Sequence, residues 1–210
     1  MSARPSSERA RRQYDAAASG YDRAIGAVER RVFGEQRDWA VARAHGEVLE
    51  LAVGTGLNLP RYGPQVTRVL GVDLSAGMLE QARARIGRER LGGRMEVREG
   101  DVQRLDLPGA SVDTVLATYA LCTLPDPLAA LHEARRVLRP GGRLVLVEHG
   151  VPRAAPLRAA LQLVNPLSIR LAADDLLGDP HPLVEQAGFT VLESDRAGLG
   201  GIVHRVLARR

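Results

Sequence analysis

The sequence has no lysine: all 29 of its lysine-plus-arginine positions are arginine, set against 25 acids for a net charge of +4. A basic balance of this size permits contact with anionic surfaces without demanding it. One cysteine, Cys122, excludes an internal disulfide and any site built from several thiolates, and so argues against thiol-rich zinc or arsenic chemistry. Aromatic residues make up only 3% of the chain, too few for a platform on which nucleic-acid bases could stack. No apolar run approaches the ~20 residues of a membrane span, and the first residues, with Arg4, Glu8, Arg9, Arg11 and Arg12, lack the apolar centre of a signal peptide. A cytoplasmic protein is expected. The arginines Arg4, Arg9, Arg11, Arg12, Arg30 and Arg31 read either as a solvated helical face or as a peripheral contact with the inner membrane surface.

What the chain does have is an apolar run, Val48 to Val53, that ends in Gly54-Thr55-Gly56 and leads on to Asn58. A strand that enters such a turn brings backbone N–H groups close to a ligand with little side-chain bulk in the way. Asp73 closes the next apolar run, nineteen residues after Gly54, where an acid can accept hydrogen bonds from both hydroxyls of a ribose. A dinucleotide fingerprint would need a third glycine, and that position holds Leu59. Glu50, inside the first strand, would repel a pyrophosphate but suits a cofactor carrying an ammonium and a sulfonium, which is the charge pattern of S-adenosylmethionine. The alternative is that Glu50 pairs with an arginine and the glycines form an ordinary strand-to-helix turn.

Residues 1 to 7 are polar and expected to be loose, followed by helices over Glu8 to about Ala18 and Tyr21 to about Ala44. Strands are expected at Val48–Val53, Val69–Asp73, Met95–Glu99, Val112–Thr118 and Leu144–Glu148, with helices at about Ala76–Ile86 and Pro127–Leu138 between them. This alternation predicts a parallel sheet covered on both faces. A helix over Ala155–Ala172, a short one from His181 to Ala187, and two runs at Phe189–Glu193 and Ile202–Ala208 follow, the last pair suited to an antiparallel edge. No internal repeat or low-complexity linker interrupts residues 1–210, which are read as a single domain.

Four blocks in this order, Leu49–Asn58, Gly71–Leu79, Gly100–Pro108 and Leu131–Leu144, resemble the class I S-adenosylmethionine-dependent methyltransferases, and the resemblance covers about residues 10–208. It implies a Rossmann-like, doubly wound α/β fold with a seven-stranded, mostly parallel sheet and an antiparallel C-terminal strand. It also implies that residues 8–45 form a helical lid over the cofactor, with Tyr14 and Tyr21 on it. The glycine loop (Ala52, Gly54, Thr55, Gly56) would hold the methionine part of S-adenosylmethionine, Asp73 the ribose, Leu74 and Met78 the adenine faces, and Gly100, Asp101 and Val102 its polar edge. Thr118 and Tyr119 would meet the methionine part or the acceptor. Ala52 departs from the family pattern, which has glycine there. The blocks Val53–Pro60 and Ala120–Pro127 and the pair Glu148-His149 are similar to a branch with soluble phosphatidylethanolamine N-methyltransferases and methyltransferases of lipophilic small molecules. The Tyr14-Asp15 and Tyr21-Asp22 repeat is similar to the quinone C-methyltransferases.

Methyl transfer from a sulfonium is an in-line displacement that needs alignment and exclusion of water more than a base. His149 is the candidate base, because it follows a strand at its carboxyl end; the competing reading is a strand-end cap or an orienting group. Tyr14 and Tyr21 are candidates for a catalytic or cofactor-contacting role, or for packing. Leu157, Leu161, Val164, Leu167 and Leu171 form an apolar stripe that suits a hydrophobic acceptor or burial against the sheet, and Asp174 or Asp175 suits a cationic head group or plain solvation. A small-molecule or lipid-like acceptor is expected, with neither nucleic acid nor a metal site. A non-catalytic S-adenosylmethionine-binding or regulatory protein of the same fold is the alternative.

Overall fold

The computed structural model describes residues 6–172 and 174–210; Arg4 of the basic cluster and Ala173 lie outside them. Seven strands, β1 (Gly46–Leu51), β2 (Val66–Asp73), β3 (Met95–Glu99), β4 (Val112–Thr118), β5 (Leu138–His149), β6 (Thr190–Ala197) and β7 (Val203–Arg209), form one sheet in the order β3-β2-β1-β4-β5-β7-β6. The first five run parallel, and β7 lies antiparallel between β5 and β6. The two final runs thus make the antiparallel edge that their position in the chain suggests.

Alternate residues of each central strand feed different cores. Leu49, Leu51, Val115, Leu144 and Leu146 pack on the side of α4 (Pro127–Val137) and α6 (Pro180–Gln186), whereas Val48, Leu116, Val145 and Val147 pack on the side of α2 (Gln36–Val41) and α3 (Ala76–Arg88). A strand buried on both faces must be apolar throughout, which is why these segments read as near-continuous hydrophobic runs. Helix starts are capped by side chains: Ser75 Oγ accepts from Met78 N–H and Asp126 Oδ1 from Ala129 N–H.

The N-terminal region departs from expectation. Gly20 lies inside one continuous helix, α1 (Ser7–Val28), which runs into a π turn at Glu29–Phe33. The break falls instead at Gly34, whose φ of 76° no side-chain-bearing residue adopts cheaply. A glycine in a helix interior costs only about 1 kcal/mol, and contacts of α1 with α3 offset it. The helix α5 (Ala155–Ala172) matches its predicted span, but its apolar stripe is largely uncovered: Val164, Leu167 and Leu171 are 47%, 57% and 65% exposed, and Leu163 beside them is 84% exposed. Leu161 alone of the stripe packs onto a core cluster. Among the described residues no helix is long and apolar enough to cross a membrane.

The sheet order reverses between β1 and β4, and the loop after β1 turns sharply there. Ala52, Gly54 and Gly56 all have positive φ (49°, 56° and 77°). A side chain at position 56 would meet Leu59 Cδ1 at 2.7 Å, so that glycine is fixed by packing as well as by φ. Ala52 is different, since it bears a methyl group in a conformation that costs an L-residue about 1–2 kcal/mol. Glycine's extra freedom in the unfolded chain offsets about 0.5–1 kcal/mol of any gain. Ala52→Gly is therefore expected to stabilise the protein by roughly 0.5–1 kcal/mol in urea unfolding; a loss of stability would show that methyl packing against the core outweighs backbone strain.

Candidate active site

At the carboxyl ends of β1, β2, β3 and β4, where open α/β sheets place their ligands, lies an open-mouthed cavity of about 830 Å³. Its floor is the β1 loop (Ala52, Val53, Gly54, Thr55); Asp73, Leu74, Ser75 and Met78 line it beyond β2, and Gly100, Asp101, Val102 and Gln103 beyond β3. Thr118 and Tyr119 close the end beyond β4, and Ala10, Tyr14 and Tyr21 of α1 form the facing wall. Thirteen of the predicted site residues therefore meet around one space. Glu50, Gly56, Asn58 and His149 do not line it.

Asp73 organises the floor. Its Oδ2 accepts from Gly54 N–H at 2.8 Å and its Oδ1 from Ser75 N–H at 2.8 Å. Burial raises its pKa, and those two N–H donors pull against the rise. The Tyr-Asp repeat acquires a geometric meaning. Residues seven apart lie two helical turns apart on one face, so both tyrosines reach the cavity while both aspartates reach its frame. Asp15 Oδ1 accepts from Ser75 Oγ at 2.6 Å and Gly77 N–H at 3.0 Å, at the start of α3. Asp22 accepts from Thr55 Oγ1 and pairs with Arg85. Tyr14 and Tyr21 meet edge to face at 6.3 Å. Burial pushes the Tyr14 hydroxyl well above the ordinary phenol range and that of Tyr21 up to about 12, so both remain protonated at neutral pH.

Arg37, a residue the sequence reading does not single out, lies at the β4 end. It is 7% exposed, and its Nη1 donates to Thr118 Oγ1 at 2.8 Å and Asn58 Oδ1 at 3.2 Å. Burial opposes its charge, but Glu29 at 2.6 Å more than compensates and keeps the guanidinium protonated. Its Cζ lies 5.3 Å from the centre of the Tyr119 ring. With 29 arginines and no local motif, no signal in the sequence marks this one; it is brought to Thr118, 81 positions away, by the fold.

Beneath the loop, Glu50 makes no ion pair with an arginine among the described residues, although the Arg37 charge acts on it, and it does not line the cavity. Asn58 Nδ2 donates to Glu50 Oε1 at 2.8 Å and to Thr118 Oγ1 at 3.0 Å, and Tyr62 OH donates to Glu50 Oε2 at 2.7 Å. Burial raises the Glu50 pKa to about 7 against the pull of those donors. Glu50 and Asn58 thus brace Thr118 and Arg37 from behind.

His149 stacks on Phe33 (5.6 Å) and Tyr119 (6.3 Å), with Nε2 3.1 Å from Asp174 Oδ1. It borders a smaller cavity of about 250 Å³ shared with Cys122, Glu148, Asp179 and Leu183. Burial opposes its protonation, but Asp174 wins and its pKa is raised. Burial and the neighbouring carboxylates push the Cys122 thiol well up, which removes it as a nucleophile. Asp175 Oδ1 accepts from Asn165 Nδ2 and Leu177 N–H, so neither member of the acid pair is simply solvated.

Comparison with known proteins agrees with this geometry. A family model described as a methyltransferase domain matches residues 49–146. A phosphatidylethanolamine N-methyltransferase of Cereibacter sphaeroides is 40% identical over 54% of this chain and 56% of its own length. A demethylmenaquinone methyltransferase of Clavibacter sepedonicus is 32% identical over 77% of this chain and 68% of its own. The chain spans about half the length of most curated relatives it matches. Among solved structures, a Thermotoga maritima S-adenosylmethionine-dependent methyltransferase described as a possible histamine N-methyltransferase superposes with a TM-score of 0.71 at 23% identity, over 94% of this chain and 98% of that one, which shows the fold. With the family match, the similarity to the Clavibacter protein and the seven-stranded sheet in agreement, the chain belongs to the class I S-adenosylmethionine-dependent methyltransferases, whose methyl donor is S-adenosylmethionine.

Proposed function

We propose that the protein transfers the methyl group of S-adenosylmethionine to a small or lipid-like acceptor. The observation that carries this reading is the chemical polarity of the large cavity along the sheet order. The β3 and β2 end offers Asp101, Asp73 and Met78, suited to an adenosine; the β4 end offers the Arg37 guanidinium, suited to an amino-acid carboxylate. In this reading Asp73 holds the ribose hydroxyls, Leu74 and Met78 sandwich the adenine, and Gly100, Asp101 and the Val102 backbone meet its polar edge. The Ala52–Gly56 loop accommodates the methionine part. Arg37 and Thr118 hold the carboxylate, with Glu50 and Asn58 keeping them in place. The whole of residues 1–210 works as one domain, and residues 8–45 act as a lid.

The reaction needs the acceptor's lone pair in line with the methyl carbon and the departing sulfur, and water kept out. Tyr14, Tyr21 and Tyr119 supply an apolar wall, and the protonated hydroxyls of Tyr14 and Tyr21 orient the reactants by donating hydrogen bonds rather than by removing protons. His149, with Asp174 behind it, stacks on Tyr119 from outside this wall, where it positions the ring rather than meeting the acceptor. The relatives' names, phosphatidylethanolamine and demethylmenaquinone methyltransferases, support a lipid-like acceptor.

Contact with a membrane surface follows from the same reading. Arg9 donates to the Arg170 carbonyl and Gln13 Nε2 to the Leu171 carbonyl at 2.7 Å, so the arginine-bearing start of α1 adjoins the uncovered leucines of α5. Apolar side chains beside fixed positive charge suit an anionic lipid surface.

Three measurements test this reading. In calorimetry, S-adenosylhomocysteine is expected to bind and NAD not to, with Asp73→Ala weakening the former at least about tenfold, given the ~1.5–3 kcal/mol of hydrogen bonds to a charged group; binding of NAD instead would return the fold to an oxidoreductase. Burial favours neutral Glu50 in the folded state, so its stabilising contribution is full below 4.5 and is lost as the pH rises through about 7. Glu50→Gln is expected to show a flatter melting temperature across that window than the wild type, and equal slopes would mean that Glu50 stays ionised throughout. In sedimentation, phosphatidylglycerol vesicles are expected to carry the protein down and phosphatidylcholine vesicles not to, with Leu167→Asp and added salt each reducing the effect. Indifference to lipid charge would remove the membrane contact.

A further inference from the structure

Three of the five buried side-chain atoms that have no hydrogen-bond partner among the described residues belong to residues set around Cys122: Glu148 Oε2, His149 Nδ1 and Asp174 Oδ1. The Asp174 atom is notable, since His149 Nε2 lies only 3.1 Å away and yet makes no aligned hydrogen bond to it. Leaving such atoms unsatisfied costs about 1–3 kcal/mol each, and Glu148 and His149 are 2% and 6% exposed, so bulk water does not relieve them. Cys122 completes the group. Its Sγ, a ring nitrogen of His149 and a carboxylate oxygen of Asp174 all lie within 4.8 Å of one another. Cys122, Glu148 and His149 line the 250 Å³ cavity, so there is room beside them for a further ligand.

We propose that Cys122, His149 and Asp174 bind a divalent transition-metal ion of the zinc type. Thiolate, imidazole and carboxylate are the three donor classes that zinc takes, and three protein ligands leave a fourth corner for water or substrate. The thiolate and the carboxylate balance the two charges of the ion, and the thiol proton leaves to solvent on binding. Two ligand atoms 3.1 Å apart can share one ion at about 2.0–2.1 Å from each, the ion taking the place of the proton between His149 and Asp174. Glu148 Oε1 is occupied by the N–H groups of Ala120 and Leu121 at 2.9 and 3.0 Å, leaving Oε2 to accept from whatever fills the fourth corner. The sequence reading expects no metal because it counts thiols; a site with one thiolate, its other ligands 27 and 52 positions downstream, carries no spacing signature. The proposal stands independently of methyl transfer, and Thr123, the residue after Cys122, lines the large cavity.

The test is a titration of chelator-treated full-length protein with Co²⁺ as the spectroscopic probe for zinc. The expected result is a saturable near-ultraviolet thiolate-to-cobalt band, discharged by Zn²⁺, lost in Cys122→Ser and shifted at least about tenfold to weaker affinity in Asp174→Asn. S-adenosylhomocysteine binding is measured on the same samples. A folded wild type that binds this molecule but develops no band sinks the metal site and leaves the methyltransferase reading intact; a band without cofactor binding does the reverse. Cobalt uptake equal in wild type and both variants would mean adventitious surface binding only and would also overturn the site. Should Cys122→Ser fail to fold, the wild-type band and Asp174→Asn, whose side chain is 23% exposed, decide the matter.

Discussion

A single carboxylate joins the two halves of the cavity floor. Asp73 spends one oxygen on the backbone of the β1 loop and the other on the start of α3, so the left-handed turn at Ala52–Gly56 and the cap of the following helix are held in mutual register. Everything around the large cavity is built outward from this bridge. The α3 N-terminus so positioned receives Asp15, the loop receives Asp22, and α1 is thereby laid across the mouth with its tyrosines inward. At the other end the same loop delivers Asn58 to Glu50 and Thr118, and these in turn hold Arg37. Preorganisation of this kind matters for a displacement reaction, in which a misplacement of about 1 Å can cost a hundredfold in rate.

The two faces of the sheet divide the chemistry. Odd-numbered positions at the end of β5 point with Val145 and Val147 toward the aromatic stack of Phe33 and Tyr119, and His149 follows them. Glu148 faces the other way and clamps the turn after β4. A two-residue motif at a strand end therefore serves two separate environments, one aromatic and one made of backbone N–H groups, and both converge again on Cys122.

Much of the fold was legible because parallel strands buried on both faces have to be apolar over their whole length, and because glycines and caps punctuate them. The spans of β3, β4 and α5 follow directly from that. The helix break was misjudged at Gly20, since tertiary contacts outweigh one residue's weak helix propensity. In the site, residues carried by the strand ends and the turns after them were legible: Gly54, Asp73, Asp101 and Thr118 all meet one cavity. Arg37 and Asp174 were not legible in these roles, because their meaning comes from partners 81 and 25 positions away and from burial that charge alone does not announce. Glu50 is expected from the sequence to face the cofactor, but its carboxyl group is directed at Asn58 and Tyr62 instead of at the open cavity.

The seven-residue spacing of Asp15 and Asp22 couples two motions that would otherwise be independent. Each aspartate ties α1 to a different part of the cavity floor, so the helix cannot swing aside by releasing one contact; both must break, and the Asp22–Arg85 ion pair with them. In the π turn that follows, the helical ladder widens by one residue and closes with Gly34 N–H donating to Glu29 O at 2.7 Å. Two anchors seven residues apart thus fix both the tilt and the rotation of α1, which a single anchor could not do.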